Sequence, residues 1–123
     1  MRLDILAIVV GMPLIVSMNI AHGSDIASAA QRGDNAAIRT LIEEGAAINE
    51  PQIDGTTALH WAAHFNDIEV AQLLIHAGAS VSAVNRVGVT PMRLATINGN
   101  ATMIEVLLEA GVDPNAPLTQ HGD

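Results

Sequence analysis

The sequence predicts an all-α fold, a solenoid of three stacked helix-turn-helix units joined by extended, β-hairpin-like fingers. Landmarks recur every 33 residues, at Gly45, Gly78 and Gly111, at Gly55 and Gly88, at Thr57 and Thr90, at Ala62 and Ala95, and at Leu74 and Leu107. A fixed period of that length marks a stack of like units that bury their apolar faces on each other. The composition agrees: hydrophobic residues make up 50% of the 123 positions, yet there is one Phe, one Trp and no Tyr, so a large aromatic-rich β core is excluded. Inside the period, apolar residues fall at helical spacing, Leu59, Ala62 and Ala63 and then Val70, Ala71, Leu74 and Ile75.

The first 23 residues differ in kind from the rest. Arg2 and Asp4 precede an uncharged, mostly branched run from Ile5 to Met18, and Ala21 and Gly23 flank His22. That order reads as a secretory signal cut after Gly23, leaving a chain that starts at Ser24 and is exported. The alternative is a retained anchor; the run is short of the roughly 20 apolar residues a span needs, and Pro13 interrupts it.

Three units then divide the chain at about 24–53, 54–86 and 87–116. In the middle unit, helices are expected over 58–65 and 68–76. Thr57 is placed to cap the first, with Pro91 at the first helical position of its equivalent in the third unit, and Asp67 and Asn100 to cap second helices. Gly78 and Gly111 follow the last apolar residues, where a left-handed residue ends a helix at little cost. The ten or so residues between units are long enough for a turn-containing finger. Residues 117–123 resemble the opening of a fourth finger, with Gly122 one residue beyond the period from Gly88. Leu108 and Ile104 stay apolar where a closing unit would turn polar, so self-association through the third unit is expected.

These residues resemble a known family. Asp54-Gly55-Thr56-Thr57-Ala58-Leu59-His60-Trp61-Ala62-Ala63, followed by Glu69-Val70-Ala71-Gln72-Leu73-Leu74 and Ala77-Gly78-Ala79, is similar to an ankyrin repeat. Gly88-Val89-Thr90-Pro91-Met92-Arg93-Leu94-Ala95 opens a second match, and 29–49 form a degenerate first one. The departures are Ala58 for the usual Pro, Arg93 for His, and Asn66 for the Gly between helices; Asn tolerates the left-handed backbone that the Gly would supply. The resemblance implies a non-catalytic module or scaffold, of a bacterial exported type placed in the periplasm or secreted, that binds another protein through finger tips and a concave groove. Carried residue by residue, it puts Ile53, Asp54 and Thr56 on one finger and Arg86, Val87 and Val89 on the next. It puts Gln31, Arg32, His64, Phe65, Ile97 and Asn98 along the groove, with Phe65 as the anchor. It also implies that His60 steadies the fingers and that Trp61 packs between repeats.

Charge and chemistry narrow the alternatives. Five Arg and no Lys face 13 Asp and Glu, a net charge of −8, which argues against a nucleic-acid partner. With no Cys there is no disulfide or thiolate chemistry. His60 and His64 have the four-residue spacing of a zinc pair, but Trp61, Ala62 and Ala63 lie between them and no general-base Glu is present. The second reading is a small metal-binding or enzyme-accessory protein using His60, His64 and His76. Glu43, Glu44 and Asp113 read as solvated acids, and Ser24 with Asp25 as a helix start. No catalytic residue, metal or cofactor is expected, and no membrane association once the signal is removed.

Overall fold

A computed structural model of the chain describes residues 25–112. The expected signal segment (1–23), Ser24, the residues from Asp113 to Ala116 and the tail 117–123 lie outside the described residues. Six helices are present among the described residues, in three pairs: α1 (Asp25–Arg32) with α2 (Asn35–Glu43), α3 (Ala58–His64) with α4 (Ile68–His76), and α5 (Pro91–Asn98) with α6 (Ala101–Glu109).

Each helix starts and stops where its punctuation dictates. Asp34, Asp67 and Asn100 stand one repeat apart, and each side chain accepts the amide of the residue three further on, Ala37, Val70 and Met103. Thr57 caps α3 and Thr90 caps α5, where Pro91 opens the helix with a preset φ and no amide to satisfy. The turn inside each pair requires a left-handed residue, supplied by Gly33, Asn66 and Gly99 at φ of 72°, 59° and 68°. Asn66 takes this conformation as its substitution for Gly requires. The expected helix over 58–65 ends one residue early, with Phe65 as its C-cap.

The pairs stack into two layers, first helices against first helices and second against second. The first helices approach each other more closely than the second ones do. Their contact surfaces explain this: Ala27, Ala29, Ala30, Ala58, Ala62, Ala63 and Ala95 are all buried, and small side chains let helix axes come together. Larger side chains, Ile38, Val70, Leu74, Met103 and Leu107, fill the space toward the second helices. α1, α3 and α5 thus form the more closely packed layer, the inner side of the stack.

The fingers are hairpin-like turns without a strand among the described residues. In one, Gln52 donates its amide to the Thr56 carbonyl (2.9 Å) and Gly55 donates to the Gln52 carbonyl (2.8 Å). In the next, Asn85 donates to Val89 (3.1 Å) and Gly88 to Asn85 (3.0 Å), and the Arg86 amide reaches across to the Asp54 carbonyl (2.8 Å). Gly55 sits where this crossing is tightest. A Cβ there would lie 3.0 Å from Asn85 Cα and 3.1 Å from the Arg86 amide nitrogen, and its φ of +85° adds strain for any other residue.

Candidate functional site

The inner side of the stack is built from first helices and finger tips, and its most prominent feature is aromatic. Trp61 and Phe65, four residues apart at the end of α3, stack with ring centroids 5.8 Å apart and an interplanar angle of 21°. The His64 ring stands edge-on to both, at 5.6 Å from Trp61 and 4.8 Å from Phe65. Phe65 remains 51% exposed and His64 is exposed.

The indole is held in place by a chain of amides. Trp61 Nε1 donates to Gln52 Oε1 (2.9 Å), and Gln52 Nε2 donates to Gln31 Oε1 (2.8 Å). Trp61 is partly buried and packs against the core that the three units share, in line with its expected place, while its indole nitrogen is bonded at the inner face. At that position the neighbouring pairs carry Ser28 and Leu94, and Gln52 offers the indole nitrogen an acceptor.

Around this ledge lie other exposed apolar side chains. Ile97, one repeat beyond His64, is 67% exposed; Ile53 and Val87, at the two finger tips, are 89% and 81% exposed. Asp54 and Arg86 are exposed beside them, and Arg32 lies one repeat before Phe65, paired loosely with Asp34 at 3.9 Å.

Three residues expected at this surface have other work. Thr56 is buried; its hydroxyl accepts from Asn85 Nδ2 (3.4 Å) and its amide donates to the Asp54 carboxylate (2.9 Å). Val89 is half-buried, its carbonyl taken by His60 and by the Asn85 amide. Asn98 is exposed but spends its amide nitrogen on the second unit, donating to the carbonyls of Ala63 (3.2 Å) and His64 (2.9 Å) and to Asn66 Oδ1 (3.4 Å). These bonds join neighbouring units, which a reading along one repeat does not reveal.

His60 occupies the junction of the two fingers. The Thr57 amide donates to its Nδ1 (3.0 Å), so the proton sits on Nε2, which donates to the Val89 carbonyl (2.8 Å). This is a capping box with imidazole in place of the usual Glu. Burial holds the imidazole below its ordinary value of 6.5, while the Val89 carbonyl and the charge of Asp54 act against that shift. Hydrogen bonds from Thr56, chiefly from its amide, hold the Asp54 carboxyl below its ordinary 3.8. With both ring nitrogens of His60 engaged, the metal-binding reading loses its central ligand, and no three His, Asp or Glu among the described residues converge to hold an ion.

Charge is divided between the two sides. Arg32, Arg86 and Arg93 lie on first helices or a finger, together with Asp25, Glu50 and Asp54. Glu43, Glu69, Glu105 and Glu109 all lie on second helices, where Arg39 pairs with Glu69.

Comparison with known proteins adds the following. The family described as ankyrin repeats in three copies matches residues 26–117. The chain is 38% identical over 93 residues to palmitoyltransferase Hip14 of Drosophila melanogaster, covering 75% of this chain and 15% of that protein. It is 32% identical over 101 residues to ankyrin repeat and SOCS box protein 3 of Homo sapiens, covering 80% of this chain and 20% of that one. The chain thus spans a fifth or less of these curated relatives, and the acyl transfer named in the first belongs to a protein that matches only in part.

Proposed function

The chain belongs to the ankyrin-repeat family, and from that premise we propose that it is an exported, non-catalytic scaffold that binds one partner protein on the inner side of the stack. Ankyrin repeats are protein-interaction modules; the exported periplasmic or secreted location and the binding residues are our reading. The observation that carries it is the exposed Phe65 ring, backed by Trp61 and His64. A large ring already held by neighbours loses little freedom when covered, which is what makes an aromatic side chain a good anchor. Ile53, Val87 and Ile97 extend the apolar surface, and Asp54 and Arg86 supply polar contacts at its rim.

Export rests on the Ile5–Met18 run and the Ala21 and Gly23 positions. Intact mass of protein recovered from the extracytoplasmic fraction tests it, with a chain starting at Ser24 expected and a membrane-bound chain that retains residues 1–23 overturning it. The binding face is tested by cross-linking capture with the wild-type chain and Phe65→Ala in parallel. Loss of an anchor ring typically costs more than about 2 kcal/mol of binding, so the partner should be retained by the first and lost by the second. Equal capture by both would move the site off this face.

A second copy can also engage through the third unit, where Leu108 is 39% exposed and Ile104 half-buried on α6. Sedimentation at rising concentration should show association that Leu108→Glu abolishes.

A further inference from the structure

We propose that Asn98 is a site of spontaneous deamidation that acts as a one-way ratchet on the third unit, a property that goes beyond partner binding and does not depend on it. Asn98-Gly99 is the one Asn-Gly pair in the chain. In such a pair the glycine main-chain nitrogen attacks the asparagine side-chain carbonyl carbon. A nitrogen–carbon bond forms and the bond to the side-chain nitrogen breaks. Ammonia leaves with the proton given up by the glycine amide, and a five-membered imide remains. Water then opens the imide at either carbonyl, giving aspartate or isoaspartate. Glycine favours the attack because no Cβ obstructs its nitrogen.

In the folded stack both reactants are tied down. The Gly99 amide is bound at the end of α5 by the Thr96 carbonyl (3.0 Å). The Asn98 amide is turned toward the second unit by its bonds to the Ala63 and His64 carbonyls and to Asn66 Oδ1. Attack therefore requires the third unit to open, which frees the two groups together.

The product closes the unit less well. Ala63 and His64 are at the C-terminal end of α3, where carbonyls carry the negative end of the helix dipole; that of Ala63 also accepts the Asn66 amide at 3.3 Å. The Asn98 amide adds a donor to both from the next unit. A carboxylate in its place has no proton to give and sets a negative charge against three oxygen acceptors. Isoaspartate further lengthens the main chain at the turn into α6. Ile97 is the adjacent residue, and the finger bearing Arg86 and Val87 leads into the same unit, so conversion would also disturb the inner surface.

The test is to age the wild-type chain at mildly alkaline pH below its unfolding temperature and to map deamidation by peptide mass spectrometry. Asn98 should convert ahead of Asn49, Asn66, Asn85 and Asn100, and low urea should raise its rate in step with amide exchange of α5 and α6. The deamidated species, separated by ion exchange, and the Asn98→Asp variant should exchange amides in α5 and α6 about tenfold faster than wild type, with Asn98→Ala between them. Conversion of Asn98 no faster than of the other asparagines, or a deamidated species exchanging like wild type, would overturn the proposal. If Asn98→Asp does not fold, the aged wild-type protein decides the outcome.

Discussion

At the scale of single residues, the most constrained positions are those where two units meet. His60 is neutral and doubly bonded in the fold, and its pKa is held below 6.5, chiefly by burial. The unfolded chain therefore takes up a proton first as pH falls. Stability from this residue is complete above about pH 6.5 and is lost progressively as pH drops from there through the folded value. Asp54 acts in the same direction in a lower window, since its carboxyl lies below 3.8 in the fold. Thermal melts between neutral and mildly acidic pH should show a decline that is absent in His60→Gln, whose overall stability is lower. Gly55→Ala is a separate case of crowding. Its Cβ would press on the Asn85 and Arg86 backbone, so the cost should exceed about 1 kcal/mol, read as a lower denaturant midpoint at unchanged slope. Phe65→Ala, by contrast, removes a half-exposed ring from a partial stack and should leave the melt within about 1 kcal/mol of wild type.

At the scale of the element, each helix is seven to nine residues long, too short to persist alone in water. Caps and packing hold it. The three second-helix caps make a matched comparison, because Asp34, Asp67 and Asn100 make the same bond at the same repeat position. Asn100→Ala should cost about 1 kcal/mol, and hydrogen exchange should rise first in α6. The cap at Asp67 has additional work, since Asn35 Nδ2 donates to its second carboxylate oxygen at 3.1 Å. Asp67→Ala should therefore cost more than Asn100→Ala, and a double variant with Asn35→Ala should recover part of the difference. Equal losses at the two sites would show that the Asn35 bond contributes nothing.

At the scale of the whole molecule, the stack is one-dimensional, and each pair answers only to its neighbours. The middle pair, α3 and α4, packs between the other two, whereas among the described residues α5 and α6 have a neighbour on one side only. Amide protection should accordingly be highest in α3 and α4 and lower in α5 and α6. Uniform protection across all six helices would instead mean that the three units open as one. The links between units bear on this gradient. Asn49 bridges the Gly78 carbonyl and the Ser80 amide, and Asn98, His60 and Asn35 make comparable crossings.

The sequence by itself determined the repeat, the helix pairs and their ends, because a 33-residue period, a capping side chain and a left-handed residue are local signals that survive without a fold. It also indicated that Asn66 could take the left-handed backbone in place of Gly, as it does, and the resemblance implied the role of His60 at the fingers. The candidate site was legible only in outline. Phe65, His64, Ile53, Val87 and Ile97 are exposed, as their place in the repeat implied. That Thr56 is buried, that Val89 and Asn98 are committed to the neighbouring unit, and that Trp61, packed on the core, also stacks on Phe65 were decided by the tertiary structure. Those outcomes depend on which side chain of the next unit lies within hydrogen-bonding reach, a distance across 20 to 35 residues of chain that no pattern within one repeat records.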